Sequence, residues 1–285
     1  MSCWGSGSNG RLGNGLSTDS SVPVDVVGLS DVVEIGAGFS TACALRGDGT
    51  VACWGRGGNF GSNNLTDTPT PVDVPGLSDV VHLSTASHGG TSYTSRTCGV
   101  RSDGSAFCWG LNADGQNGDG TQDDARTPVD IPAVDDASAI AAALTHTCVV
   151  RSDGTYCMGA APLGDGGVER QFVPTLVTTD VAFESLSAGW EHTCGLTAGG
   201  DVWCWGRNGS GQIGDGAELT VSDQRLVPAQ SKVSNVVLLA AGSTHTCAYT
   251  SEQITWCWGH NEYGETGSGE TGSLSRSNTP APVEW

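Results

Sequence analysis

The sequence predicts an all-β fold, a β-propeller of four-stranded blades, and three observations support this prediction. Cys-Trp-Gly or a close relative occurs six times, at intervals of 47 to 55 residues. Around each copy the same order returns: an apolar run such as VVEIGAG, a triplet such as HTC, a turn such as SDG, the CWG triplet, a glycine-rich segment and a run such as TPTPVDV. The 285 residues include 43 glycines, which suits many short turns. Four short strands repeated at this period are typical of a propeller blade.

The repeats divide the chain into about six units of a single domain that covers residues 1–285. The first unit, residues 1–29, contains only the third and fourth strands of a blade, so we expect an incomplete first blade. We also expect the chain to be a fragment of a longer protein, or a propeller closed around this incomplete blade. Unpaired strand edges favour pairing with a second copy, which predicts a homodimer. The complete units begin near Ser30, Ser78, Val134, Val181 and Ser234.

The charge of the chain and its apolar pattern exclude two classes of partner. The chain has 12 basic and 31 acidic residues, a formal net charge of −19, and no cluster of Lys and Arg. Binding to a phosphate backbone needs such a cluster, so no nucleic acid is expected as a direct partner. No run of 18 apolar residues occurs, so no membrane insertion is expected. The N-terminal MSCWGSGSNG lacks the pattern of a signal peptide, which a fragment would explain.

The 11 cysteines follow the repeat and predict disulfides. In CGVRSDGSAFC a three-residue loop, SDG, pairs Arg101 with Ser105, and counting outward places Cys98 opposite Cys108. Tetrahedral zinc usually needs two close cysteine pairs, whereas each pair here lies alone in its unit. Regular disulfides indicate an oxidising compartment, so we expect an extracellular or periplasmic protein. The same count predicts the pairs Cys43–Cys53, Cys194–Cys204 and Cys247–Cys257.

Two cysteine positions depart from this count. Cys148 and Cys157 are nine residues apart, so a disulfide between them requires a bulge or a changed turn. Cys3 has no partner within its unit and is expected to be a free thiol. The tryptophans of CWG alternate with the cysteines along their strands, so we expect them to pack between blades.

The combination of AGxxHTC, SDGT, CWG, NGSGQIGDG and PV at this period resembles the regulator-of-chromosome-condensation repeat family, over essentially the whole chain. The resemblance implies a seven-bladed propeller, from which five complete units and a half-unit depart. It also implies an interaction role, because the family includes a nuclear exchange factor, a plant light sensor and a secreted enzyme inhibitor. The acidity and the predicted disulfides make the secreted members the better analogy. We therefore expect an extracellular binding scaffold that recognises a protein or a glycan through loops at one mouth of the propeller.

An alternative function comes from histidines at one position of three successive units. The resemblance implies that this position, occupied by Thr41 and Arg96 in two other units, begins the second strand near the mouth of the central channel. Imidazoles that converge there could hold zinc, whose bound water would attack an ester or phosphoester. Otherwise each histidine caps its strand by hydrogen bonding to backbone. The metal candidates are His146, His192 and His245, and the catalytic candidates are these three with Glu191.

Two further kinds of site are suggested by departures from the repeat. Calcium is a hypothesis at Asp119, Asp123 and Asp124, although the fifth unit forms the same loop as NGSGQIGDG without the additional acids, which indicates turn chemistry. No cofactor is established by the sequence, and zinc and calcium are the two considered. Partner contacts are predicted where loops carry unusual residues, including the insertion STASHGGTSYTSR over residues 84–96. These contact candidates are Trp190, Phe39, His88 and Arg96.

Overall fold

The computed structural model describes residues 1–58, 61–63, 65–88, 94–220, 222–272 and 275–283, and of residues 87, 88 and 94 it describes the backbone alone. Within these residues, 22 strands form one two-stranded and five four-stranded antiparallel sheets. Each sheet contains strands that follow one another along the chain, as expected for a propeller blade. Among the described residues, no helix has the length and apolar content needed to cross a membrane.

The predicted β-propeller with an incomplete first blade is confirmed. The first sheet, half-blade 1, consists of β1 (Ser2–Gly5) and β2 (Ser20–Asp25), with a 3-10 turn at Ser8–Gly10 between them. Blade 2 consists of β3 (Val32–Ala37), β4 (Thr41–Arg46), β5 (Val51–Gly55) and β6 (Thr68–Asp73). Blade 3 consists of β7 (Val80–His88), β8 (Thr94–Arg101), β9 (Ala106–Gly110) and β10 (Ala125–Asp130).

The remaining three blades repeat the same order of strands. Blade 4 consists of β11 (Ala139–Ala142), β12 (His146–Arg151), β13 (Gly154–Gly159) and β14 (Gln171–Leu176). Blade 5 consists of β15 (Ser185–Ala188), β16 (His192–Leu196), β17 (Val202–Arg207) and β18 (Gln224–Gln230). Blade 6 consists of β19 (Val236–Ala241), β20 (His245–Thr250), β21 (Thr255–His260) and β22 (Arg276–Pro282).

The second and third strands of each complete blade are joined by the predicted hairpin and a disulfide. In blade 3 the glycine of the SDG turn, Gly104, has φ of +84°, a conformation that glycine adopts without the clash of a Cβ. The turn sets the register, so that Cys98 lies opposite Cys108. Sγ–Sγ distances of 2.05 to 2.13 Å are found for Cys43–Cys53, Cys98–Cys108, Cys148–Cys157, Cys194–Cys204 and Cys247–Cys257.

The cysteine pair with the shorter spacing is joined through a changed turn. In blade 4, Arg151 pairs with Gly154, so the loop contains two residues instead of three. The loss of one loop residue leaves each outer pair directly opposed, and Cys148 therefore still faces Cys157. The ladder of β12 and β13 needs no bulge.

We expect one thiol per chain under denaturing, non-reducing conditions, because Cys3 is the one cysteine outside the five pairs. Reduction should destabilise the protein, since each bridge closes a short loop worth about 2 to 3 kcal/mol in the chain-entropy description. Thiol titration before and after reduction measures both states. A count near the 11 cysteines of the sequence before reduction would contradict the disulfides.

The apolar core lies between blades rather than within one sheet. Leu83 of blade 3, for example, packs in one cluster with Cys43 and Leu45 of blade 2. Four of the five CWG tryptophans pack against the preceding blade, as predicted, and are at most 1% exposed, namely Trp54, Trp109, Trp205 and Trp258.

Candidate functional site

The innermost strands of blades 2 to 6 surround a central channel whose mouth contains a cavity of about 220 Å³. Most of the lining consists of small residues at the ends of these strands, such as Ala37, Ala142 and Ala241. The large side chain in the lining is Trp190, from the loop between β15 and β16. An aromatic side chain beside a concave, narrow space is a common feature of binding sites.

The loop of Trp190 is held by both neighbouring blades. The Trp190 amide donates to the Ser243 carbonyl oxygen of blade 6 at 3.1 Å. On the other side, the Thr145 hydroxyl of blade 4 donates to the Trp190 carbonyl oxygen at 3.2 Å. These bonds fix the backbone from which the half-buried indole projects, so the side chain is presented from a rigid support.

Phe39 occupies the corresponding loop of blade 2 and is 53% exposed. The Arg11 guanidinium lies 5.3 Å from the centre of its ring and donates to the Phe39 carbonyl oxygen at 2.7 Å. Arg11 comes from half-blade 1, so this loop too is tied to a neighbouring sheet. The side chain of His88, the third contact candidate, lies outside the described residues, as do residues 89–93 of the insertion.

The structure does not bring the three candidate histidines together around one ion. His146 Nε2 lies 2.6 Å from the Thr193 hydroxyl of the next blade, and both residues are buried. His192 Nε2 lies 3.0 Å from the Thr246 hydroxyl in the same way. The hydroxyl of Thr246 donates to the Gln212 carbonyl oxygen at 2.9 Å, so it accepts its hydrogen bond from His192. Each ring therefore joins two blades, and neither caps its strand through the backbone.

Burial lowers the pKa of His146 to about 3 and that of His192 to about 3 as well. His245, in blade 6, has a half-buried ring, and burial also lowers its pKa. Neutral imidazoles could ligate zinc, but the Nε2 atoms of two of these rings are occupied by threonines. In the part of the chain that the structure describes, no group of three or more His, Cys, Asp or Glu side chains is placed to hold a metal.

Glu191, the remaining catalytic candidate, points toward its own blade. Its carboxylate pairs with the Arg207 guanidinium at 2.7 Å, and both side chains are about half exposed. The pair lies in solvent and competes with water, so it contributes little to stability. Among the residues that the structure describes, none of the three candidate histidines forms a hydrogen bond with this carboxylate.

The prediction of Arg96 as a surface contact is corrected by the structure, because its side chain is 1% exposed. The guanidinium donates to the Gln116 carbonyl oxygen at 2.6 Å and to the Thr147 hydroxyl at 2.6 Å. It also donates to the Ala143 carbonyl oxygen at 2.9 Å. Burial lowers the pKa of Arg96 to about 9, and the group is still charged at neutral pH. A partner at the surface cannot reach this side chain.

Arg96 occupies the position of the histidines in its own blade and makes the same kind of bond to the next blade. We refer to the three pairs Arg96–Thr147, His146–Thr193 and His192–Thr246 as the interblade belt. The threonines were missed in the sequence, although they recur immediately before each cysteine in the HTC triplet. When two residue types recur side by side in successive repeats, as histidine and threonine do here, the first residue of one blade can contact the second residue of the next blade.

The acidic residues considered for calcium organise their own loop. Asp119 accepts hydrogen bonds from the Thr121 amide and hydroxyl, at 3.0 and 2.9 Å. The Asp124 carboxylate accepts a hydrogen bond from the backbone amide of Asn112 at 2.7 Å. A buried asparagine recurs at the centre of this loop in three blades, four residues after the CWG cysteine, and sequence reasoning missed it: Asn112, Asn208 and Asn261.

Comparison with known proteins gives relatives along almost the whole chain. The chain is 30% identical over 281 residues to the ultraviolet-B receptor UVR8 of Arabidopsis thaliana, which covers 94% of this chain and 62% of that protein. It is 27% identical over 284 residues to the E3 ubiquitin-protein ligase HERC2 of Homo sapiens, covering 94% of this chain and 6% of that protein. The chain thus spans less than two thirds of the length of either relative.

Solved structures show the same fold at lower identity. Yeast RCC1 (Prp20), in a crystal structure with Kap60, superposes with a TM-score of 0.79 at 22% identity, covering 99% of this chain and 70% of that one. Human WBSCR16 gives a TM-score of 0.73 at 18% identity, covering 92% and 69%.

The family itself is identified by its repeats. One profile of the regulator of chromosome condensation (RCC1) repeat matches residues 3–45, 103–150 and 199–249. A second profile of this repeat matches residues 32–62, 183–212 and 236–265. Together the matches cover more than half of the chain and fall in half-blade 1 and in all five complete blades. The chain therefore belongs to the RCC1 repeat family.

Proposed function

We propose that this protein is an extracellular or periplasmic binding scaffold that recognises a protein or a glycan through the loops around the channel mouth. The observation that carries this proposal is the position of Trp190 beside the cavity. Its counterparts in blades 4 and 6 are Leu144 and Ser243, and blade 2 has the exposed Phe39. Aromatic anchors in concave sites dominate binding energy, while the surrounding contacts exclude water.

Several features support a protein partner as the first one to test. The net charge of −19 favours a partner with positive charge through long-range attraction. Yeast RCC1, which has the same fold, is bound to Kap60 in its crystal structure. The five disulfides support an oxidising compartment, and hence a partner or glycan found outside the cytosol.

The test is selection of binders from a phage-displayed peptide library, in parallel with a glycan array. Binders of the unmodified protein are then measured against the variants Trp190→Ala and Phe39→Ala. We expect Trp190→Ala to weaken binding by about 30-fold or more, as for a hot-spot residue of about 2 kcal/mol. Phe172→Ala, which truncates an aromatic residue on the outermost strand of blade 4, is the matched control and should leave affinity unchanged. If the selected binders keep the same affinity for Trp190→Ala as for Phe172→Ala, recognition does not use the loop of Trp190, and the proposal is contradicted.

Two other predictions have their own tests. The homodimer through unpaired blade edges stays a prediction, which the mass of the protein in solution, measured by light scattering, will decide. The metal-assisted hydrolase has no supporting observation, because His146 and His192 are occupied by threonines of the next blade.

A further inference from the structure

The positive charge of Arg96 is buried between blades 3 and 4 without a carboxylate to balance it. Among the described residues, the hydrogen bonds of its guanidinium go to backbone carbonyls, to the side chains of Asn117 and Thr147, and to two sulfur atoms. Its Nε atom is buried and has no partner within the same residues. A charge that is removed from water without a counterion is costly. A neighbouring group that becomes an anion would therefore be stabilised here.

The two sulfur atoms beside Arg96 belong to the disulfide of its own blade. Arg96 Nη2 lies 3.2 Å from Cys98 Sγ and 3.6 Å from Cys108 Sγ. The groups that face this site from β12 are the Thr147 hydroxyl and the ring of His146, which is neutral because burial lowers its pKa to about 3. Sulfur carries no charge in a disulfide, but reduction creates thiols, and a nearby guanidinium favours the thiolate form.

The other blade interfaces have similar surroundings without the cation. At the position of Arg96, blade 2 has Thr41, and blades 4 and 5 have the neutral His146 and His192. The cysteines of blades 2 to 5 are all 0% exposed, so access to solvent does not distinguish their disulfides. A threonine hydroxyl of the next blade lies close to the first cysteine in all four, at 3.9 Å for Cys43–Thr97, 3.8 Å for Cys98–Thr147, 3.6 Å for Cys148–Thr193 and 3.9 Å for Cys194–Thr246.

We propose that Cys98–Cys108 is a redox-active disulfide, which a dithiol reductant opens more readily than the disulfides of blades 2, 4 and 5, to give a Cys98 thiolate paired with Arg96. A disulfide has a higher reduction potential when its reduced form is stabilised. The stabilisation here comes from attraction between opposite charges in a buried site, where it is stronger than in water. The site lies inside the interface between two blades, so the proposal does not depend on the proposed function.

The reduction proceeds as two thiol–disulfide exchanges. A thiolate of the dithiol attacks Cys108 Sγ, the bond between the two cysteines breaks, and Cys98 leaves as a thiolate beside the guanidinium. The second thiol of the reductant then attacks its own sulfur in the mixed disulfide, and Cys108 is released and takes up a proton. The dithiol is oxidised to a cyclic disulfide and supplies both electrons. Of its two protons, one goes to Cys108 and one to solvent.

The reduced site is expected to stay folded. Arg96 Nη1 donates to the carbonyl oxygens of Ala143 and His146 in blade 4, at 2.9 and 3.0 Å, and neither bond involves the disulfide. The ladder of β8 and β9 also holds the two cysteine strands together through the backbone. These two residues of blade 4 flank Leu144, which lines the cavity at the channel mouth. Reduction is therefore expected to be reversible and to occur directly beneath the mouth.

The test measures the equilibrium between the disulfides of the folded full chain and dithiothreitol. Alkylation stops the exchange, and mass spectrometry of peptides gives the reduced fractions of Cys98–Cys108 and Cys194–Cys204 in one sample. We expect the equilibrium constant for reduction to be at least about tenfold larger for Cys98–Cys108, which corresponds to about 30 mV. Between pH 7 and pH 8 this constant should rise about tenfold, because one proton is released, whereas that of Cys194–Cys204 should stay nearly constant.

Matched variants test whether the cation is the cause. The double variant Arg96→His with Met158→Trp gives this interface the residues of the interface between blades 5 and 6. Its constant for Cys98–Cys108 should fall to that of Cys194–Cys204 and lose the pH dependence. Arg170→Gln, which removes a 55% exposed arginine of blade 4, should change neither.

Three results would overturn the proposal. The first is an equal constant for the two disulfides in the wild type, and the second is a constant for Cys98–Cys108 that does not change between pH 7 and pH 8. Neither of these results requires a variant that folds. The third is a larger constant that persists in the double variant, since Arg96 would then not be its cause.

Discussion

Arg96→His and Met158→Trp are expected to destabilise the protein individually and to compensate each other when combined. In blades 5 and 6, the Trp258 indole donates to the Gln212 carbonyl oxygen at 2.9 Å, while His192 contacts Thr246. Between blades 3 and 4, Met158 replaces the tryptophan and has no donor for the equivalent carbonyl of Gln116. Arg96, in place of the histidine, supplies that donor at 2.6 Å.

Each single substitution breaks one half of this arrangement. Arg96→His leaves the Gln116 carbonyl with one donor fewer and a cavity where the guanidinium was, which should cost about 2 to 4 kcal/mol. Met158→Trp places an indole where the guanidinium already lies, and overpacking of this kind costs about 1 to 3 kcal/mol. The double variant should restore the contacts of blades 5 and 6, with a coupling energy of about 1 to 3 kcal/mol.

Chemical denaturation of the four proteins in the cycle measures this coupling. The control combines Arg96→His with Trp258→Met, which removes the indole at a different interface. These two sites share no partner, so their effects should add within about 0.5 kcal/mol. An additive Arg96–Met158 cycle would mean that the two residues do not substitute for the histidine and tryptophan of the other blades.

This pair also shows why part of the site was not predictable from the repeat. Arg96 departs from the repeat beside an insertion, and departures from a repeat are usual places for function, which led to the prediction of a surface contact. We interpret it as the counterpart of another departure, Met158, 62 positions later in the chain. The link between them is visible only when the packing of blade 3 on blade 4 is known.

The predictions that depended on neighbouring strands were confirmed. The number of blades follows from the period, and the disulfide register follows from the length of one turn, because residue pairs in an antiparallel hairpin are fixed by counting from the loop. Among the predictions that depended on neighbouring blades, the packing of the CWG tryptophans between blades is confirmed for four of the five, whereas the structure does not bring the candidate histidines together. Equivalent positions on successive blades each face the next blade, so His146 and His192 contact Thr193 and Thr246 instead of one another.

The interblade belt is expected to make the protein sensitive to mild acid. Burial lowers the pKa of His146 and His192 to about 3, and an unfolded histidine has a pKa of about 6.5. Between these values the unfolded chain binds a proton at each position that the folded chain does not. Stability is thus fully present above pH 6.5 and is lost as the pH falls toward 3, approaching about 1.4 kcal/mol per pH unit for each histidine.

The Nδ1 atom of His192 shows why burial lowers the pKa of this ring. His192 Nδ1 is buried and has no hydrogen bond partner among the described residues. Because Nε2 already donates to Thr246, a second proton would have to go on Nδ1, where nothing accepts it. His82 has the opposite tendency, because the hydrogen bond that its Nδ1 donates to the Glu34 carboxylate raises its pKa, and its contribution to stability is retained in acid. The belt therefore has to be separated from His82 by substitution.

The variant with both His146→Gln and His192→Gln is designed for that separation. The glutamine amide nitrogen can donate to threonine from a position close to Nε2 and does not titrate, so the variant loses stability by a constant amount. Between pH 7.5 and pH 5, the free energy of unfolding of the wild type should fall by about 4 kcal/mol more than that of the double variant. Each single variant should remove about half of this difference. Urea denaturation at the two pH values measures it, and parallel pH profiles for wild type and double variant would contradict buried, neutral rings in the belt.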